Sequence, residues 1–280
     1  MKRTITISKH AGFCAGVKMA YKTATEASKN GLPVYMLGHL VHNTQVIEKL
    51  GSEGIKSVNS LSDIPDNVKG LLMISAHGIG PSTYEQAKEK GLEIADTTCV
   101  WVKTAQKAAK SLSDKGYSVI IVGDRDHTEV KGIMEWAGNE VIVVERSSDL
   151  DKIAVPERVA LVAQTTQSIE NFNSVAEKLK GLAKDLVAQN TICDATSKMQ
   201  KSAVDLARVS DVMLVIGDKR SANTKRLKEL SLAEGVPTYQ IQNAKELDPS
   251  WLEGKQKIGI TAGASTPEWV IDEVVNSLTS

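Results

Sequence analysis

The chain of 280 residues is 41% hydrophobic, enough for a large buried core, and its 34 basic residues balance its 34 acidic ones. That balance excludes a global field favouring nucleic acid or an anionic membrane, so an anionic ligand must be bound by local donors. No apolar run approaches bilayer-crossing length, and Met1-Lys2-Arg3 leads into a short alternating strand rather than a signal-peptide core, which predicts a cytoplasmic protein with no membrane or nucleic-acid partner.

In chain order, Cys14 opens a helical stretch from Val17 to Lys29, stopped by Asn30-Gly31. The apolar strand Val34-Tyr35-Met36-Leu37 follows, closed by Gly38, and a second helical segment runs from Thr44 to Leu50. Leu61 to Pro65 then precedes another strand, Leu71 to Ile74, which ends in Ser75-Ala76-His77. The same order returns twice. Cys99 opens a helix from Val102 to Lys115, then the strand Val119 to Val122 and the helix Glu129 to Trp136. Ser148-Asp149-Leu150 and Pro156 lead into the strand Val159 to Ala163, ending in Gln164-Thr165-Thr166. Cys193 opens a helix from Lys198 to Val209, then the strand Val212 to Ile216 and the helix Thr224 to Leu230. Lys245 to Pro249 precedes a last strand, Ile258 to Ala262, which runs into Gly263-Ala264-Ser265-Thr266.

This threefold repeat keeps a fixed count: a glycine (Gly38, Gly123, Gly217) stands 24 residues after each cysteine, and His42, His127 and Ser221 stand 28 after. Thr44, Glu129 and Asn223 come two residues later. Short β-branched runs closed by glycine and followed by helices predict buried parallel strands, hence an α/β fold. Three modules follow, at 1–95, 96–187 and 188–280, with a terminal strand open to exchange between the first and third. In open α/β sheets ligands lie beyond the carboxyl ends of the strands, so these polar strand ends are expected to face one shared pocket. The four tryptophans do not recur at equivalent positions and are read as packing residues.

Three cysteines far apart in a long chain without a secretion signal do not make a disulfide framework. Their common register sets them apart from ordinary buried thiols. Several cytosolic thiolates suit an iron–sulfur cluster or zinc; structural zinc usually takes four local ligands, whereas a four-iron cluster on three cysteines keeps one iron without a protein ligand. A resting three-iron cluster uses the same three thiolates. His42, His77, Ser221, Asn223 and Ser265 are hydrogen-bond donors suited to a phosphate or diphosphate. Lys219, Arg220 and Lys225 flank Ser221 and either steer an anion or are simply solvated. Glu129 reads either as a proton donor or as an acidic residue of a first helical turn, and Thr165 and Thr166 as a proton relay or substrate orienters.

The ordered segments His10-Ala11-Gly12-Phe13-Cys14-Ala15-Gly16-Val17, Leu37-Gly38 to His42-Asn43, Ser75-Ala76-His77-Gly78, Ala163 to Thr166, Thr191-Ile192-Cys193 with Ala195-Thr196, Ser221 to Thr224, and Ala262 to Pro267 resemble the LytB family of 4-hydroxy-3-methylbut-2-enyl diphosphate reductases over nearly the whole chain. The resemblance implies a trefoil of the three modules around a [4Fe-4S] cluster on Cys14, Cys99 and Cys193, with one iron lacking a protein ligand. It implies substrate contacts from His42, His77, His127, Thr165, Thr166, Ser221, Ala222, Asn223 and Ser265, with catalysis by Glu129, His127 and Thr165. It also implies reduced ferredoxin or flavodoxin as electron donor, since the sequence carries no nucleotide-binding fingerprint. Three places depart from the family pattern: Thr128 stands where proline is usual, Val100-Trp101 follows Cys99 where a proline is usual, and Ala222 stands where serine is common. Adjusted activity rather than a new reaction is the expectation. Two rivals remain on the residues alone: an iron–sulfur hydro-lyase acting on a phosphorylated substrate, and a non-catalytic iron–sulfur sensor.

Overall fold

The computed structural model describes residues 3–138 and 141–279. Among these residues the chain forms twelve strands and nine α-helices. They fall into two compact units. One takes the described residues through Lys18, His42–Ile47 and those from Asp194 onward; the other takes Met19–Val41 and Glu48–Cys193.

The second unit holds two four-stranded sheets. In the first, β3 (Ile55–Val58), β2 (Val34–Leu37), β4 (Leu71–Ile74) and β5 (Glu93–Asp96) lie in that order, all parallel. In the second, β7 (Val141–Val144), β6 (Ser118–Val122), β8 (Arg158–Ala163) and β9 (Asp185–Ala188) repeat the arrangement. The central strands are apolar because both faces are covered: Val119 to Val122 and Val159 to Ala163 are each fully buried. Each valine, isoleucine or leucine among them contributes about 1.5–3 kcal/mol on burial.

Helices α4 (Val100–Asp114) and α5 (Thr128–Ala137) cover one face of the β6/β8 pair. The inward positions of α4 are small, Ala105, Ala108 and Ala109, so α5 can approach closely through Val130 and Ile133. On the other face Phe172, Val175 and Leu179 of α6 (Ile169–Lys180) fill the space over Ile120 and Leu161.

The first unit holds one sheet, in the order β1 (Thr4–Ile7), β12 (Lys257–Ala262), β10 (Val212–Ile216), β11 (Thr238–Ile241), again wholly parallel. The N-terminal strand thus takes the edge position that β5 and β9 fill in the other two sheets. Helices α7 (Asp194–Ala207), α8 (Ala222–Ala233) and α9 (Glu268–Thr279) flank it, with Val270, Ile271 and Val274 of α9 packed on the strands.

The α/β class and the three equivalent sheets agree with the sequence expectation, and the central strands lie where their apolar runs fall. The helices after the cysteines start earlier than their apolar periodicity suggested. Helix α1 (Ala15–Ala27) begins at Ala15 rather than Val17, α4 at Val100 rather than Val102, and α7 at Asp194 rather than Lys198. The first turns of α1 and α7 are made of small or polar residues and carry no apolar period, and α4 starts on Val100, which is exposed and so outside the buried stripe; all three are helical because the rest of the helix propagates into them. The outcome brings each cysteine directly to a helix start. Two of the tryptophans are held in the fold, Trp251 stacking on Tyr239 at 4.2 Å between ring centroids and Trp136 Nε1 donating to the Ile79 carbonyl at 2.9 Å, whereas Trp269 of α9 is exposed.

Candidate functional site

The chemistry-bearing residues gather where strands end. In the second unit, β4 ends one residue before Ser75-Ala76-His77, and the Cys99 N–H donates to the Ala76 carbonyl at 3.1 Å. Cys99 is the N-cap of α4 and is half-buried. Cys193 is buried; its N–H donates to the Thr165 carbonyl at 2.9 Å, which fixes the segment ahead of α7 to the end of β8. Each thiol is therefore tied by its own backbone to the loop that carries a predicted substrate residue.

His127 caps α5, its Nδ1 accepting the Glu129 N–H at 3.1 Å. That bond leaves the proton of the neutral imidazole on Nε2, so His127 presents a donor at its far edge. His77 and His127 meet edge to face, 5.4 Å between centroids. The loop that delivers His127 is tight. A Cβ at Gly123 would lie 2.9 Å from Val130 Cγ2 and 3.0 Å from Gln164 Cβ, which explains glycine at the end of β6. Gln164 Oε1 also accepts the Asp124 N–H at 3.0 Å, joining this loop to the one carrying Thr165.

Glu129 is 2% exposed, and its carboxylate is gripped by one residue. Oε1 accepts the Thr165 N–H at 2.6 Å and Oε2 accepts the Thr165 hydroxyl at 2.9 Å. Burial pushes the carboxyl up, the two Thr165 bonds pull it down, and burial wins, raising it to about 7. A carboxyl balanced near neutrality, hydrogen-bonded to a hydroxyl, can hold or release a proton with little driving force either way. Thr166, next in the chain, is half-buried.

In the first unit, the Cys14 N–H donates to the Ala264 carbonyl at 3.3 Å, and the thiol lies beside the Met199, Ala203, Val215 and Leu227 cluster. Val17 N–H points at Cys14 Sγ, 3.5 Å away, as a first-turn amide of α1. Ser221 is the N-cap of α8, accepting the Thr224 N–H at 3.3 Å. Ser265 Oγ lies 3.4 Å from Ser221 Oγ and donates to the His42 carbonyl at 3.1 Å. Asn223 is 3% exposed; its Nδ2 faces Met199 Sδ at 3.8 Å and its Oδ1 is a buried acceptor without a partner. Ala222 is half-buried between them. Ser221, Asn223, Ser265 and the His42 backbone thus form one polar cluster at the start of α8, where backbone amides favour an anion.

Of the three cations near Ser221, Arg220 is not a free solvated charge. It is paired with the buried carboxylate of Asp218 at 2.8 Å, and Asp218 also reaches Thr44. Sequence reading passed over Asp218 because its partner Thr44 lies 174 residues away. The first unit therefore gathers Cys14, His42, Ser221, Ala222, Asn223 and Ser265, and the second gathers His77, Cys99, His127, Glu129, Thr165, Thr166 and Cys193.

A family model described as LytB protein matches residues 5–279. A 4-hydroxy-3-methylbut-2-enyl diphosphate reductase of Pelobacter propionicus is 42% identical over 274 residues, covering 98% of this chain and 97% of that one. One from Geobacter metallireducens is likewise 42% identical, covering 98% and 96%. Among solved structures, the E-1-hydroxy-2-methyl-but-2-enyl-4-diphosphate reductase of Plasmodium falciparum superposes with a TM-score of 0.93 at 32% identity, covering all of this chain and 89% of that one. A second, titled as the terminal enzyme of the non-mevalonate pathway, gives 0.71 at 39% identity, with 99% of each chain covered.

Proposed function

The chain belongs to the LytB protein family, and on that premise we propose that it catalyses the reductive dehydroxylation of 4-hydroxy-3-methylbut-2-enyl diphosphate to isopentenyl and dimethylallyl diphosphates, the last step of the non-mevalonate pathway. Replacing the C–O bond by C–H and releasing water consumes two electrons and two protons. The observation that carries the reading is Glu129, a fully enclosed carboxyl balanced near pH 7 and bonded to the Thr165 hydroxyl.

Cys14, Cys99 and Cys193 are the proposed holders of an iron–sulfur cluster, the cofactor type of this family. All three stand at helix starts, where partial positive charge stabilises thiolate and cluster alike. We assign a [4Fe-4S] cluster with one iron lacking a protein ligand, because three cysteines in three equivalent places supply one ligand too few for four irons. When bound, that cluster would supply the electrons and a Lewis-acidic iron.

The chain's own residues do the rest. Ser221, Asn223, Ser265 and the first amides of α8 would bind the diphosphate, with His42 and His77 as further donors and Ala222 leaving room beside them. The Nε2–H of His127 and the Thr165 hydroxyl would orient the substrate's hydroxymethyl end, with Thr166 beside them. Glu129 would pass its proton through Thr165 Oγ to the departing oxygen and recover one from solvent between turnovers. Reduced ferredoxin or flavodoxin is the proposed donor. The three-module division at 1–95, 96–187 and 188–280 belongs to the same reading.

Anaerobic turnover of the named diphosphate by cluster-loaded protein with a reduced viologen dye tests it. Formation of both isoprenyl diphosphates that requires the reductant supports the reading. An intact cluster without turnover refutes it.

A further inference from the structure

The diphosphate half of the proposed site contains a charge of the wrong sign. Asp218 follows Gly217 at the end of β10, three residues ahead of Ser221, and is 3% exposed. A buried carboxylate beside groups meant for an anion should repel it, and an unpaired one is costly in its own right.

Five donors meet this carboxylate. Oδ1 accepts the Arg220 N–H at 2.8 Å and Arg220 Nε at 3.0 Å; Oδ2 accepts Arg220 Nη2 at 2.8 Å, the Thr44 N–H at 3.1 Å and the Thr44 hydroxyl at 3.0 Å. Arg220 Nη2 also donates to Thr44 Oγ1 at 3.0 Å, closing a ring of three side chains. Burial pushes the Asp218 carboxyl up, but the guanidinium, the Arg220 amide and the Thr44 hydroxyl together hold it well below the usual carboxylate range. It is charged at any working pH.

The ring has a location that gives it a purpose. Thr44 starts α2 (Thr44–Ser52), two residues after His42, and Asp218 lies in the loop that ends at Ser221. Ser221 N–H in turn donates to the Asp218 carbonyl at 3.0 Å. Ser265, on the loop after β12, is bonded to the His42 carbonyl and lies against Ser221. Three loops carrying His42, Ser221 and Ser265 are thereby fastened at two points, one of them Asp218. All five of its bonds have the charged carboxylate as acceptor, the stronger kind of hydrogen bond.

We propose that Asp218 is a positioning residue that fixes the His42 loop to the Ser221 loop, and that Arg220 is the paired charge that lets a carboxylate occupy this place without repelling the diphosphate. The assignment rests on the diphosphate reading of Ser221, Asn223 and Ser265. It makes a prediction that a purely structural ring does not: Arg220→Gln and Asp218→Asn differ in sign. Arg220→Gln leaves a bare negative charge beside the anion and raises KM about tenfold, with kcat within about twofold of wild type, as expected for loss of binding shared by ground and transition states. Asp218→Asn keeps an acceptor oxygen for Thr44, and with it the tie between the loops, and leaves KM unchanged or lower, whereas Asp218→Ala removes that tie and raises KM about tenfold. The double variant of Arg220→Gln with Asp218→Asn returns KM to within about threefold of wild type, because the uncompensated charge is gone.

The test is steady-state kinetics of cluster-loaded wild type and these four variants with reduced viologen, beside calorimetric titration of each with inorganic pyrophosphate. Restored affinity in the double variant, in either measurement, supports the proposal. A double variant as impaired as Arg220→Gln, or Asp218→Asn weakening binding as much as Arg220→Gln does, overturns it. Pyrophosphate titration separates the two levels of the account: a wild type that binds pyrophosphate with this variant pattern but reduces no substrate refutes the enzyme reading and leaves the charge pairing standing.

Discussion

Replacing Glu129 with glutamine removes a proton and little else, which makes it the sharpest perturbation available. The side chains are nearly isosteric, and the glutamine oxygen still accepts the Thr165 N–H that Oε1 accepts at 2.6 Å. The Thr165 hydroxyl, 2.9 Å from Oε2, can turn to accept from the amide. General acid catalysis by a positioned side chain is worth roughly 10²–10⁴-fold, so kcat should fall by about that factor with KM little changed. The same substitution has a stability signature. Glu129 rises from 4.5 to about 7 on folding, so the native state holds this proton more tightly than the unfolded chain does. Stability from this group is therefore fully present below about pH 4.5 and is lost as pH rises through about 7, by about 3 kcal/mol in all. Glutamine does not titrate, so the wild-type loss between those limits should vanish in the variant. Anaerobic viologen oxidation reads the first effect, and denaturant unfolding of the loaded protein between pH 5 and 8 (roughly, the span of the transition) reads the second. A variant that keeps more than about a tenth of wild-type kcat, or a stability difference that does not change with pH, would refute the assignment of Glu129 as the neutral proton carrier.

Other residues give separable outcomes. Thr165→Val removes the hydroxyl that lowers the Glu129 carboxyl, so the descending limb of the kcat–pH profile should move upward while kcat falls about tenfold; an unmoved limb contradicts the relay. Gly123→Ala drives a methyl to 2.9 Å from Val130 and 3.0 Å from Gln164, and should cost about 1–3 kcal/mol in unfolding measurements. Serine at any one of positions 14, 99 or 193 should abolish the cluster's visible absorbance after anaerobic reconstitution; full absorbance in one of these variants removes that thiol from the ligand set. Thr128→Pro places a proline at the first position of α5 and tests the departure from the family pattern directly. Turnover within about twofold of wild type is expected, because the α5 cap is made by His127, and a large gain would show that Thr128 impairs this chain.

What the sequence discloses and what it hides divide along physical lines. Central strands such as Val119–Val122 are buried on both faces and therefore write continuous apolar runs. The edge strands β3, β5 and β9 read Ile55-Lys56-Ser57-Val58, Glu93-Ile94-Ala95-Asp96 and Asp185-Leu186-Val187-Ala188, half-exposed segments whose pattern is too short and mixed to identify. The cysteines were legible because a fixed count recurs three times. Glu129 was visible as a residue, but its two readings were separated only by the grip of Thr165, 36 residues on. Asp218 left no mark at all, since its meaning depends on Thr44, which the fold brings to it from a different sheet connection.

The central claim is that two electrons and two protons replace a hydroxyl with hydrogen. Counting electrons against product tests it most directly: loaded protein, limiting 4-hydroxy-3-methylbut-2-enyl diphosphate, and a measured quantity of one-electron viologen radical under argon. The account predicts two radicals oxidised for each isoprenyl diphosphate formed, and no product without reductant. Substrate consumed with no radical oxidised would contradict it and identify the chain as a dehydrating enzyme instead.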